Sequence, residues 1–390
     1  MSDWQETKLG NLGKVITGKT PSKDNPEDWG SDVLFVTPSD YKNYGKYANS
    51  SIRKLSAIGA KRQANRLLPK NSILVTCIGS DMGKTAINSE QCVTNQQINA
   101  VIPNDSTTNP DFIYYLTKDL YETLSSLGSD GTAVPILNKS DFENIDVSIP
   151  YLEEQKAIAS ILTSLDDKID LLHRQNTTLE CMAETLFRQW FVEEAQEDWE
   201  VVELGSVVET TSGGTPSRSK MTFYENGTIN WVKSKELSRS FILDTEEKIT
   251  EDALKNSSAK LLPANSILIA MYGATVGEYA IISIEMTCNQ AVCALKPNEK
   301  YPYTFLFLYV KSYQEELINM AAGSAQQNIS QLLIKQLPIP TCYEKIAEFD
   351  RLTEAFFNKT KSNIEQIQTL EKLRDTLLPK LMSGEVRVVN

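Results

Sequence analysis

The clearest chemical pattern in the sequence is Gly13-x4-Gly18-Lys19-Thr20, which matches the phosphate-binding loop of nucleotide hydrolases letter for letter. In such a loop, backbone N–H groups and a lysine hold the phosphates where a strand ends and a helix begins. Here no long apolar strand precedes Gly13, and Pro21 follows Thr20 where the helix would be running. Nucleotide hydrolysis is therefore an alternative hypothesis that the local sequence does not favour.

A second occurrence of this loop shows which of its features are retained. Gly213-Gly214-Thr215-Pro216-Ser217 repeats the first loop 195 residues later, but Val208 replaces the first glycine and the lysine is missing. What recurs is Gly-x-Thr-Pro-Ser, a turn whose hydroxyl groups can bond to backbone or to phosphate. The candidates for nucleic-acid contact in the two loops are Lys19, Thr20, Ser22, Thr215 and Ser217.

Amide side chains form a further group with possible chemistry. They occur in Asn95-Gln96-Gln97, Asn289-Gln290 and Gln326-Gln327-Asn328. Asn and Gln can read adenine bidentately in the major groove of DNA, but they are equally typical of turns and caps. Both interpretations stay open from the sequence.

The distribution of charge bears on the choice of partner. The net charge of −12 argues against nucleic acid, yet residues 40–84 carry nine bases and two acids, a local +7, whereas residues 151–198 carry −7. A basic surface on an acidic protein can still bind a polyanion. In this region the candidate DNA-contacting cations are Lys42, Lys46, Arg53, Lys54, Lys61, Arg62 and Arg66, and in the second half of the chain they are Arg218, Lys220, Lys233, Lys235 and Arg239.

Several other classes of site and location are poorly supported. The six cysteines show no CxxC spacing and His173 is the only histidine, so a zinc site, a disulfide framework and a histidine-based triad are not expected. No carboxylate, cysteine or serine motif recurs beside a base, and we expect no metal site and no catalytic activity. Because the start lacks a secretory pattern and the apolar runs are too short to span a bilayer, a reducing cytoplasm is the expected location.

Two long helices are the elements that the sequence predicts most clearly. From Ile158 to Trp190 the apolar positions advance alternately by three and four residues, which is the heptad pattern of a helix that packs along one seam. Residues 343–382 show a less regular pattern, with Thr353, Thr360 and Arg374 at seam positions. The predicted seam residues are Leu162, Leu165, Ile169, Leu172, Asn176, Leu179 and Leu186 in the first helix, and Ile367, Leu370, Leu377 and Leu381 in the second.

Both helices belong to an internal repeat that covers the chain. The segment Leu-Leu-Pro-x-Asn-Ser-Ile-Leu occurs at residues 67–74 and 261–268, and further matches keep the same order with an offset drifting only from 195 to 190. We therefore predict an α+β protein with two similar mixed α/β domains, each followed by a long helix, and we expect the two long helices to pair with each other. The predicted boundaries are residues 1–150 and 199–340 for the domains, and 151–198 and 341–390 for the helical regions.

The order of these motifs resembles the specificity subunit of type I restriction–modification systems, over the whole chain. The resemblance rests on the Gly-x-Thr-Pro-Ser loops, the Leu-Leu-Pro-x-Asn-Ser-Ile-Leu segments and the segments 131–133 and 323–325 that lead to Ile-Pro. It rests also on residues 154–158 and 344–347, and on the ending Leu373-Arg-Asp-Thr-Leu-Leu-Pro-Lys-Leu-Met-Ser-Gly384.

This resemblance implies a DNA-targeting protein without catalysis of its own. Each domain would recognise one half of a split double-stranded DNA sequence. The two long helices would form an antiparallel coiled coil and set the gap between the halves. Two methyltransferase subunits would dock on the helices and use S-adenosylmethionine, and restriction subunits would use ATP and Mg, whereas this chain would bind no cofactor. The alternatives are a phosphate-binding-loop NTPase, which predicts nucleotide binding by the isolated chain, and a coiled-coil scaffold that does not bind DNA.

Overall fold

The computed structural model describes residues 4–127, 136–322 and 328–388. The repeated segments 131–133 and 323–325, together with Gln326 and Gln327, lie outside the described residues. Contacts between residues divide the chain into two units, one comprising residues 1–171 and 368–390 and the other residues 172–367. Each unit therefore contains one copy of the repeat and a part of each long helix.

The first unit contains three small sheets and the short helices that cover them. Its strands are β1 Gln5–Lys8, β2 Gly13–Thr17, β3 Trp29–Gly30, β4 Val33–Val36, β5 Tyr47–Ala48, β6 Arg53–Leu55, β7 Ile73–Thr76, β8 Thr85–Asn88, β9 Cys92–Thr94, β10 Ile98–Pro103 and β11 Asp146–Ile149. Its short helices are α1 Ala57–Arg62, α2 Pro110–Asp119, α3 Tyr121–Leu127 and α4 Lys139–Glu143, and α5 Leu152–Arg188 is the first long helix. The sheets have the strand orders β2-β10-β7-β8-β5, β3-β6-β4-β9 and β1-β11.

The second unit repeats this arrangement. Its strands are β12 Val201–Glu203, β13 Glu209–Ser212, β14 Ile229–Val232, β15 Phe241–Ile242, β16 Lys248–Ile249, β17 Ile267–Ala270, β18 Tyr279–Ile282, β19 Thr287–Cys288, β20 Val292–Lys296 and β21 Pro338–Pro340. Its short helices are α6 Leu204–Val207, α7 Glu251–Lys255, α8 Tyr303–Ser312, α9 Gln314–Ala322 and α10 Gln331–Lys335, and α11 Tyr343–Met382 is the second long helix. The strand orders β13-β20-β17-β18-β15, β16-β14-β19 and β12-β21 correspond to those of the first unit, except that β3 has no counterpart among the described strands.

The predicted α+β class and the internal repeat are thus confirmed in the topology. In each unit two short helices follow one another, α2 and α3 in the first and α8 and α9 in the second, with a turn between them at Leu120 and at Tyr313.

The repeated Leu-Leu-Pro-x-Asn-Ser-Ile-Leu segment has a conformational reason for its asparagine. Asn71 and Asn265 both adopt a left-handed conformation, with φ of 68° and 67°. Asn tolerates this region better than most residues, and here it turns the chain directly before the buried strands β7 and β17. In the loops that follow these strands, the equivalent glycines also have positive φ: Gly79 and Gly83 in the first unit, and Gly273 and Gly277 in the second. We therefore assign these two loops a structural role.

Each unit contains an antiparallel pairing of the two long helices. In the first unit, Ile158 and Leu162 near the start of α5 share an apolar core with Leu378 and Leu381 near the end of α11. In the second unit, the later part of α5 packs on the start of α11, and the ring centroids of Phe187 and Phe349 are 5.9 Å apart. At about 1.5 Å per residue, the 37 residues of α5 span roughly 55 Å.

The seam residues lie at buried or half-buried positions on both helices, as the heptad pattern predicts. Two polar side chains within the seam are hydrogen-bonded. Asn363 is buried and donates from Nδ2 to Oδ1 of Asn176 at 2.8 Å, an arrangement that fixes helix register in coiled coils. Thr353 is also fully buried, and its hydroxyl donates to the carbonyl oxygen of Phe349 at 2.8 Å.

Candidate nucleic-acid interface

The two Gly-x-Thr-Pro-Ser loops have the same local structure. In the first, the hydroxyl of Thr20 donates to Oε1 of Gln96 at 2.9 Å, and its backbone N–H contacts the same oxygen at 3.3 Å. In the second, the hydroxyl of Thr215 donates to Oε1 of Gln290. The retained threonine and the retained glutamine therefore form one motif, although they lie about 75 residues apart in sequence.

A glycine begins each of these loops because the backbone passes very close to its neighbours. A Cβ atom added to Gly18 would lie 2.2 Å from the carbonyl oxygen of Thr94, and one added to Gly213 would lie 2.2 Å from that of Cys288. Any side chain at these positions would displace the loop. The threonine–glutamine motif is thus held against the strand that precedes the glutamine.

The structure does not support the nucleotide-binding alternative. Gly13 begins strand β2, and Gly18-Lys19-Thr20 lies in the loop that follows it. A phosphate-binding loop requires a helix to start at this point, since the helix N-terminus contributes to phosphate binding. The next helical residues are instead a short 3-10 turn at Pro26–Asp28. Lys19 is exposed in the loop and belongs to no such helix.

The predicted cations of the first unit differ in exposure and in their partners. Lys19, Lys42, Lys54 and Lys61 are exposed, and none of them forms an ion pair with a residue that the structure describes. Arg62 binds Glu27 and Asp28 with N–O distances of 2.7 Å, and half-buried Arg66 donates to Asn65. Arg53 is exposed, and its guanidinium carbon lies 3.4 Å from the centroid of the Trp29 ring.

Lys46 is not placed as the sequence suggested. Its side chain is only 4 % exposed, and Nζ lies 2.6 Å from a carboxylate oxygen of Asp111 and 2.7 Å from the Thr163 hydroxyl. The rings of Tyr114 and Tyr115 lie over it at 5.6 and 5.0 Å. Lys46 was predicted to be a surface base from the number of lysines and arginines in this region, but the fold buries it as an interior cation. Lys46 is therefore not among the proposed DNA contacts.

The predicted cations of the second unit are mostly bound to carboxylates. Arg218 binds Glu247 at 2.6 Å, and Lys233 contacts both Glu246 and Glu247. The remaining pairs are Lys235 with Glu246 at 2.7 Å and Arg239 with Glu278 at 2.6 Å. Lys220 has no ion pair among the described residues, and its Nζ lies 4.9 Å from the centroid of the Phe223 ring.

These pairs strongly stabilise the carboxylate form of Glu246. Hydrogen bonds from Lys235 and Lys233 lower the pKa of Glu246 to about 2. The carboxylate is therefore charged throughout the ordinary pH range, and the cluster has little net charge. Glu246 and Glu247 could not be found from a count of bases alone; a count of acids over residues 236–247 would have found them.

The two retained serines are also accounted for. Ser22 is exposed, and its hydroxyl donates to Asp24 at 3.0 Å. Ser217 is exposed and shares a hydrogen bond with Ser219 at 2.8 Å. Both hydroxyl groups organise a turn beside the threonine–glutamine motif, and both stay at the surface.

Among residues 4–127, 136–322 and 328–388, no group of three or more His, Cys, Asp and Glu side chains is arranged to hold a metal ion. Within the same ranges no helix has the length and apolarity needed to cross a membrane.

Comparison with known proteins accounts for the duplicated architecture. The family model described as the type I restriction modification DNA specificity domain matches residues 1–181 and again 196–372, which are the two copies of the repeat. The chain belongs to this DNA specificity family. The double match follows the repeat predicted from sequence.

Individual members of the family are similar over almost the full chain. The specificity subunit of the type I restriction enzyme MjaIX from Methanocaldococcus jannaschii is 30% identical over 99% of this chain and 94% of its own length. The specificity subunit of the HindI enzyme from Haemophilus influenzae is 24% identical over 99% of this chain and all of its own length. The crystal structure of a type I restriction–modification S subunit from M. genitalium has the same fold, with a TM-score of 0.64, 18% identity and coverage of 98% and 96% of the two chains.

Proposed function

We propose that this chain is the subunit that selects the DNA sequence in a type I restriction–modification complex. It recognises a split sequence in double-stranded DNA, with one half-site for each copy of the repeat, and the long-helix pair sets the gap. It carries out no chemistry itself. Two methyltransferase subunits dock on it and transfer a methyl group from S-adenosylmethionine to adenine, and restriction subunits that use ATP and Mg join in the cytoplasm.

The observation that carries this proposal is one fold present twice with different surface chemistry. The Thr20–Gln96 and Thr215–Gln290 motifs are equivalent, as are the sheets around them. The neighbouring surfaces differ, because Lys42, Lys54 and Lys61 of the first copy form no ion pair with a described residue, whereas the second copy has Arg218 and Lys235 bound to carboxylates. Two similar folds with different surfaces suit two half-sites of different sequence.

Salt dependence of DNA binding tests the proposed contacts. Lys54→Ala combined with Lys61→Ala is expected to reduce the slope of log affinity against log salt by about 2 for the reconstituted complex, since each lost phosphate contact contributes about 0.9. The measurement is a fluorescence-anisotropy titration of the complex with its target duplex at several salt concentrations.

A matched control removes the same charge elsewhere. Lys359 and Lys372 are exposed on helix α11, and replacing both by alanine should leave the slope unchanged. An unchanged slope for Lys54→Ala/Lys61→Ala would remove these residues from the interface. Assembly with methyltransferase subunits but no sequence-selective DNA binding by the wild-type complex would instead favour the scaffold alternative.

A further inference from the structure

An aromatic pair occupies the same place in both copies of the repeat. In the first, the ring centroids of Trp29 and Phe35 are 5.1 Å apart, with the rings nearly perpendicular at 87°. In the second, those of Tyr224 and Trp231 are 5.9 Å apart at 69°. Phe35 and Trp231 are equivalent residues of strands β4 and β14, so each copy has the same edge-to-face pair beside its small sheet.

Each aromatic pair carries an arginine, but the two arginines come from different parts of the fold. Arg53, on strand β6, places its guanidinium carbon 3.4 Å from the Trp29 centroid. Arg218, which directly follows the Gly-x-Thr-Pro-Ser loop, places its own 4.3 Å from Tyr224 and 5.0 Å from Trp231. The two copies therefore place an arginine over the equivalent aromatic pair from different positions in the sequence. We call each arginine with its aromatic pair a stacked-arginine site.

The strand register shows what replaces Arg53 in the second copy. Leu55 pairs with Val33 in the first copy, and Ile249 pairs with Ile229 in the second. Leu55 and Ile249 are therefore equivalent positions, and the residues two positions before them, Arg53 and Glu247, are equivalent as well. Glu247 binds Nη1 of Arg218 at 2.6 Å, so the residue at the arginine position now holds another arginine over the equivalent rings.

A carboxylate anchors the backbone beside both sites. Asp40 accepts the N–H groups of Thr37 and Ile52, each at 2.8 Å, and Glu236 accepts those of Lys233 and Glu246 at 2.7 and 2.8 Å. These contacts position the residue directly before Arg53 or Glu247. The start of strand β6 or β16 is thus fixed from within each unit.

The second site is also joined to the retained loop. The indole N–H of Trp231 donates to the carbonyl oxygen of Gly214 at 3.0 Å, and the hydroxyl of Tyr224 donates to that of Pro216 at 2.6 Å. The stacked-arginine site and the Gly-x-Thr-Pro-Ser loop are therefore parts of one surface in this unit.

Stacking leaves the chemically specific edge of an arginine available. A guanidinium stacks through its face, while its five N–H donors lie in its plane. Arg53 donates a side-chain hydrogen bond to no residue within the described part of the chain, and the side chain of Arg218 is 52% exposed despite its contact with Glu247. Both can offer two parallel donors while the rings limit their motion.

We propose that Arg53 and Arg218 each read a guanine, one in each half-site. Guanine presents two adjacent acceptors, O6 and N7, in the major groove, and a bidentate arginine is the commonest specific partner for them. Glu247 acts as a positioning residue for Arg218. This inference rests on the proposed function, and it adds which residues discriminate bases and which base each of them selects.

The test uses the reconstituted complex with adenine methyltransferase subunits and a pool of DNA sequences, with methylated sites read by single-molecule sequencing. Arg53→Ala should reduce the preference for one guanine about 5- to 150-fold in one half-site only, and Arg218→Ala should do so in the other. Lys54→Ala, which removes a neighbouring exposed cation, should lower methylation without changing base preference. Glu247→Gln should weaken the same preference as Arg218→Ala.

Conservative variants keep the outcome interpretable. Arg53→Lys retains the charge but not the bidentate fork, and it should still lose guanine preference. If Arg53→Ala and Arg53→Lys leave every base preference intact, or lower methylation uniformly as Lys54→Ala does, the proposal is overturned. Absence of any split sequence with the wild-type complex would contradict the proposed function instead, so the two failures are distinguishable.

Discussion

Replacing Phe349 by alanine is expected to lower the free energy of unfolding of the second unit by about 3–5 kcal/mol. Phe349 lies on helix α11 and is fully buried. Its ring centroid is 5.4 Å from that of Phe191, 5.9 Å from Phe187 and 6.1 Å from Trp190. Truncation removes these contacts and leaves a cavity between the two long helices. Urea denaturation followed by circular dichroism and tryptophan fluorescence measures the loss.

Leu352 provides the matched control on the same helix. Its side chain is 48% exposed, so Leu352→Ala should change the free energy of unfolding by roughly 0.5 kcal/mol or less. Phe349→Leu keeps part of the buried volume and should fall between the two variants. Equal stabilities of Phe349→Ala and Leu352→Ala would show that the aromatic cluster does not hold the helices together in the second unit.

Replacing Arg374 by alanine is expected to destabilise the first unit by about 3–5 kcal/mol. Nη1 of Arg374 lies 2.9 Å from Asp166, and the two side chains are only 15% and 10% exposed. Asp166 also accepts a hydrogen bond from the Tyr115 hydroxyl at 2.7 Å. Without the arginine, the mostly buried carboxylate of Asp166 keeps only a neutral hydrogen-bond partner, the Tyr115 hydroxyl. The unfolding free energy of the single variant, measured as above, tests this expectation.

Two further variants separate the cost of the unpaired carboxylate from that of lost packing. Arg374→Met combined with Asp166→Leu removes both charges and should recover most of the stability, since buried ion pairs can be replaced by apolar groups of similar size. Asp375 is the second ion-pair partner of Arg374, and the Asp375 side chain is 61% exposed. Asp375→Ala should therefore lower the free energy of unfolding by about 1 kcal/mol or less. A double variant as unstable as Arg374→Ala would contradict this explanation.

Arg374 illustrates what the heptad pattern could and could not predict. The pattern placed it at the seam of the second helix and predicted less uniform packing there. Periodicity carries no information about a partner 208 residues away, so the pairing with Asp166 could not be predicted. The bounds of helix α11, Tyr343–Met382, were predicted because its seam is long and the helix begins just after Pro340.

The repeat was the most informative sequence signal for the candidate interface. It selected Thr20 and Thr215 over the lysine of the apparent phosphate-binding loop, and the structure gives both threonines a glutamine partner. Charge counting was less reliable. It ranked Lys46 with the surface bases although the fold buries it, because burial and ion pairing depend on contacts between distant segments.

Single-molecule methylation sequencing of cells that express the partner methyltransferase, with and without this chain, decides whether this chain selects the methylated sequence. We expect methylated adenines at one split sequence with a fixed gap, present only when the chain is expressed. Replacing residues 199–340 by the corresponding domain of a relative should change one half of that sequence and leave the other half and the gap unaltered. The same methylated sequence in cells lacking the chain would contradict the claim that this protein determines where the complex acts.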